Sequence, residues 1–249
     1  MVYESSKNYK IGFWIDFWKY ALALIGLFYA YVYSKAKIVG LALPLEAKLS
    51  FQAFNEVFIY FGVLGLLTLI ATGIDRLLGS IDFTPTYSNA FNKNILSIAL
   101  IIAISLLLGT MVGGVKVGEV VPYNPLNPIE TGIINSLKAI IENGFFIHFL
   151  GFSIWTFLSG GVTKRNKFTA FVASLIVGGI AMLWHIYKIS VIYHIAAGVA
   201  PLAAIQYFVF FAVMSFLSFL SDSVWPADII HVANNFALAV FGRTAYVIL

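Results

Sequence analysis

Ile95 to Val112 is a run of eighteen residues without one ionisable side chain. A stretch of that length is what a helix needs to cross the roughly 30 Å hydrocarbon core of a bilayer. Inside lipid, a backbone must satisfy its own hydrogen bonds, which leaves helices and closed barrels as the spanning forms. Further apolar runs fall at about Phe13–Tyr33, Asn55–Gly73, Thr131–Ser159, Phe168–Tyr187, Leu202–Leu220 and Trp225–Ile248. Their length fits helices rather than barrel strands of about 10 residues. The predicted class is an all-α, polytopic transmembrane helical bundle of about seven spans, within a range of about six to eight. Composition agrees: 61% of the chain is hydrophobic and 10% charged, against about 45–50% and about 25% in soluble domains.

The chain divides into residues 1–130, three helices and their loops, and residues 131–249, a four-helix core. Asp16 and Lys19 lie three apart near the start of the first run and read as a local ion pair at headgroup level. These charges, and the lack of a small-residue cleavage site, make the run a retained helix rather than a removable signal. Trp14, Trp18, Tyr29, Tyr31 and Tyr33 suit aromatic anchoring at the interfaces. The connection from Ile38 to Phe54 is partly amphipathic and suits a surface position. Pro122, Pro125 and Pro128 exclude a regular helix from the loop between Gly113 and Glu130. The fourth run is long for a bilayer core, so its first turns lie outside the core or at an angle. Gly178 and Gly179 in the fifth would let a neighbouring helix approach. With seven spans, seven Lys and Arg residues fall on each side, so charge counting sets no orientation. The compact Lys164, Arg165, Lys167 cluster favours a cytosolic amino terminus.

Absence of cysteine excludes disulfides, iron–sulfur clusters and thiolate zinc sites. No basic run is long enough for a nucleic-acid partner. The partners implied are the lipid bilayer and whatever lies within it, and the location is a cell membrane, crossed several times. The Ile-rich, cysteine-free composition points to an archaeal or bacterial source.

Polar groups inside spanning helices are costly and default to a functional reading. Glu142 sits about 16 Å along the fourth run by the 1.5 Å helical rise, which requires it to be protonated, paired or facing water. The alternative is a late-starting helix with Glu142 at the interface beside Lys138. His185 lies near the end of the fifth run, where an interfacial role beside Lys188 competes. His231 and Asn235 are four residues apart, about 400° of helical rotation, and so share a face. His148 lies about 120° from Glu142 on an ideal helix, and His194 falls in a link. Glu142, His185, His231 and Asn235 on three helices suit hydrolysis. A buried carboxylate serves as general base toward a water, one histidine orients that water, and a histidine with an amide binds the oxyanion. The same groups could instead ligate a divalent metal such as zinc.

The order of these motifs resembles the CPBP family of intramembrane endopeptidases, which includes type II CAAX prenyl proteases and the bacteriocin-processing (Abi) proteins. That family carries Glu-Glu-x-x-x-Arg in one helix, Phe-x-x-x-His in the next and His-x-x-x-Asn near the end. Here the last is intact as His231-Val-Ala-Asn-Asn235, after the lead-in Ser223-Val-Trp-Pro-Ala. The second reads Ala181-Met-Leu-Trp-His185, with alanine for phenylalanine. The first keeps Glu142 but has Asn143 and Ile147 where a glutamate and an arginine are expected. The resemblance covers about residues 135–242, with 43 and 46 residues between successive motif positions. It implies hydrolysis of a membrane-bound or lipid-modified peptide. Glu142 would be the base, His185 its partner on the water, and His231 with Asn235 the oxyanion donors. Two other readings stay open. One is a catalytically degenerate member that scaffolds or binds a membrane protein partner. The other is a haem-binding electron carrier using pairs among His148, His185, His194 and His231; transport also fits an intramembrane carboxylate.

One geometric condition follows. Glu142 and His185 both lie about 27 Å from the turn joining their helices, whereas His231 is only about 9 Å into its own. The groups can meet only if the Asp222–Pro226 turn is recessed into the bundle or the helices tilt strongly.

Overall fold

The structure is a computed structural model describing residues 17–30, 58–70, 93–113, 128–187 and 200–241. The described residues form helices and short connections, with no strand among them. In chain order the helices are α1 (Phe17–Ala30), α2 (58–70), α3 (Lys93–Gly113), α4 (Pro128–Ser159), α5 (Lys167–Tyr187), α6 (Ala200–Ser221) and α7 (Trp225–Val240). Three of them, α3, α4 and α5, are long and apolar enough to cross a membrane. The outward-facing side chains are apolar too, among them Ile101, Leu108, Phe168, Leu183 and Val209. The amphipathic stretch at 38–54, residues 114–127 of the proline-rich loop, Asp16 and His194 lie outside the described residues; Pro128 and Glu130, expected within that loop, instead open α4, where a first-turn proline is tolerated.

The helix ends follow local chemistry. α4 stops at Gly160, whose φ of 68° is left-handed, while Gly161 N–H donates back to Thr156 O at 3.0 Å. Asn166 caps α5, its Oδ1 accepting from the Thr169 N–H at 3.0 Å. α7 opens on Pro226, where a missing N–H costs nothing, with the acidic Asp228 in its first turn.

Two helices of this bundle carry the π-helical winding that often marks functional segments. One is Phe58–Gly65 at the start of α2, the other Gly144–Gly151 inside α4. The α-helical turns that follow the π segment of α4 face an aromatic cluster. Phe219 of α6 meets Phe152 edge-on at 5.1 Å and stacks on Trp155 at 5.3 Å. Such ring pairs contribute beyond the area they bury.

The α6–α7 turn is recessed. Ser223, Val224, Pro226 and Ala227 are all buried, and Asp222 adopts a left-handed φ of 51°. Arg165 reaches in from the α4–α5 connection to hold it, with Nη1 at 3.4 Å from Asp222 Oδ1. Its guanidinium lies over the rings of Trp155 and Phe152, at 4.8 and 5.5 Å. Of the cluster Lys164, Arg165 and Lys167, Arg165 therefore turns inward. The recess lets α7 start deep and run antiparallel to α4.

α5 and α6 form an antiparallel hairpin whose closeness depends on Gly178. A Cβ there would lie 2.7 Å from the Phe208 carbonyl oxygen, whereas one on Gly179 would meet nothing within 4 Å. Only the first glycine is a contact point. Gly178→Ala is expected to destabilise the protein by about 1–3 kcal/mol, the usual cost of overpacking. Gly179→Ala is expected to be neutral or to stabilise by up to about 1 kcal/mol through helix propensity. Denaturant titrations of the two variants in detergent check the contrast, and equal effects would remove it.

Candidate functional site

The buried polar groups of α4 and α7 meet where the two helices run side by side. Glu142 and Asn143 sit at the end of the α-helical part of α4, just before the π segment. Asp228 and His231 are three apart on α7, on one face. All four are buried: Glu142 3%, Asn143 0%, Asp228 5% and His231 4% exposed. With so little water available, each polar atom must be satisfied by protein.

His231 Nε2 faces Glu142 Oε2 at 3.7 Å, within ion-pair range and beyond hydrogen-bond range. Its Nδ1 lies 2.9 Å from Asn143 Oδ1. Asn143 Nδ2 donates to Asp228 Oδ1 at 2.9 Å. Lys19 of α1 donates to the other oxygen, Asp228 Oδ2, at 2.8 Å. On the far side, the hydroxyl of Tyr60 in α2 donates to Glu142 Oε1. The result is one continuous line, Lys19–Asp228–Asn143–His231–Glu142–Tyr60, drawn from four helices.

Lys19 belongs to this line; Asp16, its expected local partner, lies outside the described residues. Its ammonium also lies 4.6 Å from the Tyr20 ring and 5.6 Å from that of Trp225. Lys138, one turn before Glu142, rests over the Tyr60 ring at 5.6 Å. The site draws on both sides of residue 130.

The other sequence-derived residues make the following contacts. Asn235 shares a side of α7 with His231 but donates to the Asn135 carbonyl at 3.1 Å. Asn135 is about 10 Å before Glu142 along α4. His185 stacks on Tyr207 at 3.8 Å, with planes 16° apart. Its Nδ1 is 2.8 Å from the Ala181 carbonyl; a carbonyl only accepts, so Nδ1 carries a proton. Phe211 packs against both His185 and His231, at ring distances of 5.4 and 5.3 Å. His148 points to α1, its Nδ1 2.9 Å from the Tyr20 hydroxyl. Ile147 is fully buried among apolar side chains.

Three contributors were not singled out by sequence: Lys19, Tyr60 and Asp228. Asp228 stands three residues before His231, a spacing that places both on one helix face. Tyr60 carries no distinguishing pattern. Among the described residues no three His, Asp or Glu side chains form a group able to hold a metal ion. Glu142 and His231 offer two donors and His185 turns its ring to Tyr207, so the residues do not assemble a zinc site of the three- or four-ligand kind.

The Lys19–Asp228 pair supports a double-mutant comparison. Lys19→Met leaves a buried carboxylate without its cation and is expected to cost about 3–5 kcal/mol. Lys19→Met with Asp228→Leu removes both charges and is expected to recover most of that loss. Thermal unfolding of the purified protein, Lys19→Met, Asp228→Leu and the double variant checks this; strictly additive single effects would show that the pair does not couple.

No family model, no curated protein and no solved structure matches the chain.

Proposed function

We propose that the chain is an intramembrane hydrolase of the CPBP endopeptidase type, cutting a peptide bond of a membrane-bound or lipid-modified peptide. The observation that carries this is the buried dyad of Glu142 and His231, 3.7 Å apart on neighbouring helices. A carboxylate placed beside an imidazole can serve as general base toward a bound water. In the proposed reaction Glu142 accepts a proton as the water oxygen bonds to the substrate carbonyl carbon. His231 then donates through Nε2 to the oxyanion, and the proton on Glu142 passes to the departing amine.

The degraded first motif has a spatial counterpart that supports the reading. Asn143 stands where the resemblance expects a second glutamate, and a carboxylate is supplied beside it by Asp228. Ile147 stands where an arginine is expected, and a cation is supplied by Lys19. The seven helices would be seven spans, with α1 and α2 completing the site. A non-catalytic scaffold is the second reading, favoured by one observation. Asn235, the second oxyanion donor of the resemblance, is hydrogen-bonded to Asn135 instead.

Glu142→Gln keeps the side-chain shape and the Tyr60 contact but removes the base. Membrane peptides from cells carrying either form are compared by mass spectrometry. A protease predicts products that the variant forms about 10²–10⁴ times more slowly. Identical peptide sets, with the variant folded and present at equal amounts, would favour the scaffold.

A further inference from the structure

We infer that Asp228, held by Lys19, is a positioning residue that fixes the proton of His231 on Nδ1 through the amide of Asn143. A carboxylate paired with an ammonium accepts hydrogen bonds and has none to give. The group of Asn143 facing Asp228 Oδ1 at 2.9 Å is therefore the amide nitrogen. The amide oxygen is then the atom turned to His231, 2.9 Å from Nδ1. That oxygen only accepts, so Nδ1 carries a proton. Asn143 is 0% exposed, so no bulk water rewards the flipped amide.

The consequence lies at Nε2. With Nδ1 already protonated, a neutral His231 presents a bare Nε2 to Glu142. It can donate from Nε2 only as imidazolium. Without Asp228 the amide is free to turn, and its nitrogen can donate to Nδ1 instead. The strongest nearby acceptor would then be Glu142, which would draw the ring's single proton to Nε2. Asp228 and Lys19 act through Asn143, and so set what His231 can do.

This assignment stands on geometry alone; its meaning for turnover rests on the hydrolase reading above. The test is ¹⁵N NMR of histidine-labelled protein in detergent micelles. The chain has four histidines, and loss of one signal set in His231→Gln identifies His231. Nε2 couples to both ring carbon-bound protons and Nδ1 mainly to one, so the protonated nitrogen can be named. Wild type is expected to carry a proton on Nδ1, alone or on both nitrogens. A neutral ring protonated only on Nε2 would overturn the proposal.

In Lys19→Met/Asp228→Leu, which leaves no buried unpaired charge, the Nε2-protonated neutral form is expected to appear. Asn143→Leu is the second variant, removing the acceptor itself, with the same expected change. Retention of the Nδ1 proton in both variants would show that Asp228 and Asn143 do not set it. Correct NMR outcomes with no peptide cleavage would leave the positioning role standing and remove the hydrolase reading.

Discussion

Two carboxylates inside an otherwise apolar bundle govern how its helices can be arranged. Asp228 and Glu142 each need donors, because an unanswered buried charge costs more than most packing contacts return. Asp228 takes an ammonium from α1 and an amide from α4. Glu142 takes a hydroxyl from α2 and faces an imidazole from α7. These demands fix the register of α7 on α4 more sharply than apolar packing would. Sliding α7 by one turn, about 5.4 Å, would set Asp228 beside Ala139 or Ile147, both apolar and fully buried. Apolar side chains can repack after such a slide. A carboxylate beside Ile147 cannot be rescued.

The helices were legible because their hydrogen bonds are local and their apolar runs are long, so neither depends on tertiary detail. Glu142 and His231 were legible because polar groups within such runs stand out. Lys19 was hidden by an adequate local explanation, since a lysine three residues from an aspartate reads as a pair. Asp228 was hidden because its partners come from other helices. Tyr60 was hidden because a tyrosine within an apolar run carries no pattern that names a partner. In each case the partner is brought by the fold from over 80 positions away.

Asn235 and His185 show a different limit. The four-residue spacing correctly puts Asn235 on the His231 side of α7, since it turns toward α4 and meets Asn135. Rotation, however, says nothing about height. One turn further along α7, and running antiparallel, Asn235 meets a part of α4 well before Glu142. For His185 the height is set by α5, but the lateral position is set by α6. Tyr207 takes the face of its ring, and Phe211 packs against both it and His231. Helical periodicity fixes an angle, while the neighbouring helix decides what stands at that angle.

The Lys19–Asp228 pair in turn depends on a residue with no side chain. Gly144 follows Asn143 directly, and a Cβ there would lie 2.6 Å from the Tyr20 ring and 2.8 Å from the Thr68 methyl. The absence of that carbon lets α1 and α2 settle against α4 at the level of the site. Tyr20, fully buried there, also bonds to His148 in the π segment. Its neighbour Lys19 is thereby delivered to Asp228, and Tyr60, on the α2 side of the same contact, to Glu142. Close approach of backbones and satisfaction of charge are then one constraint. The glycine admits the helices, the helices bring the donors, and the donors make two buried carboxylates tolerable within an apolar bundle.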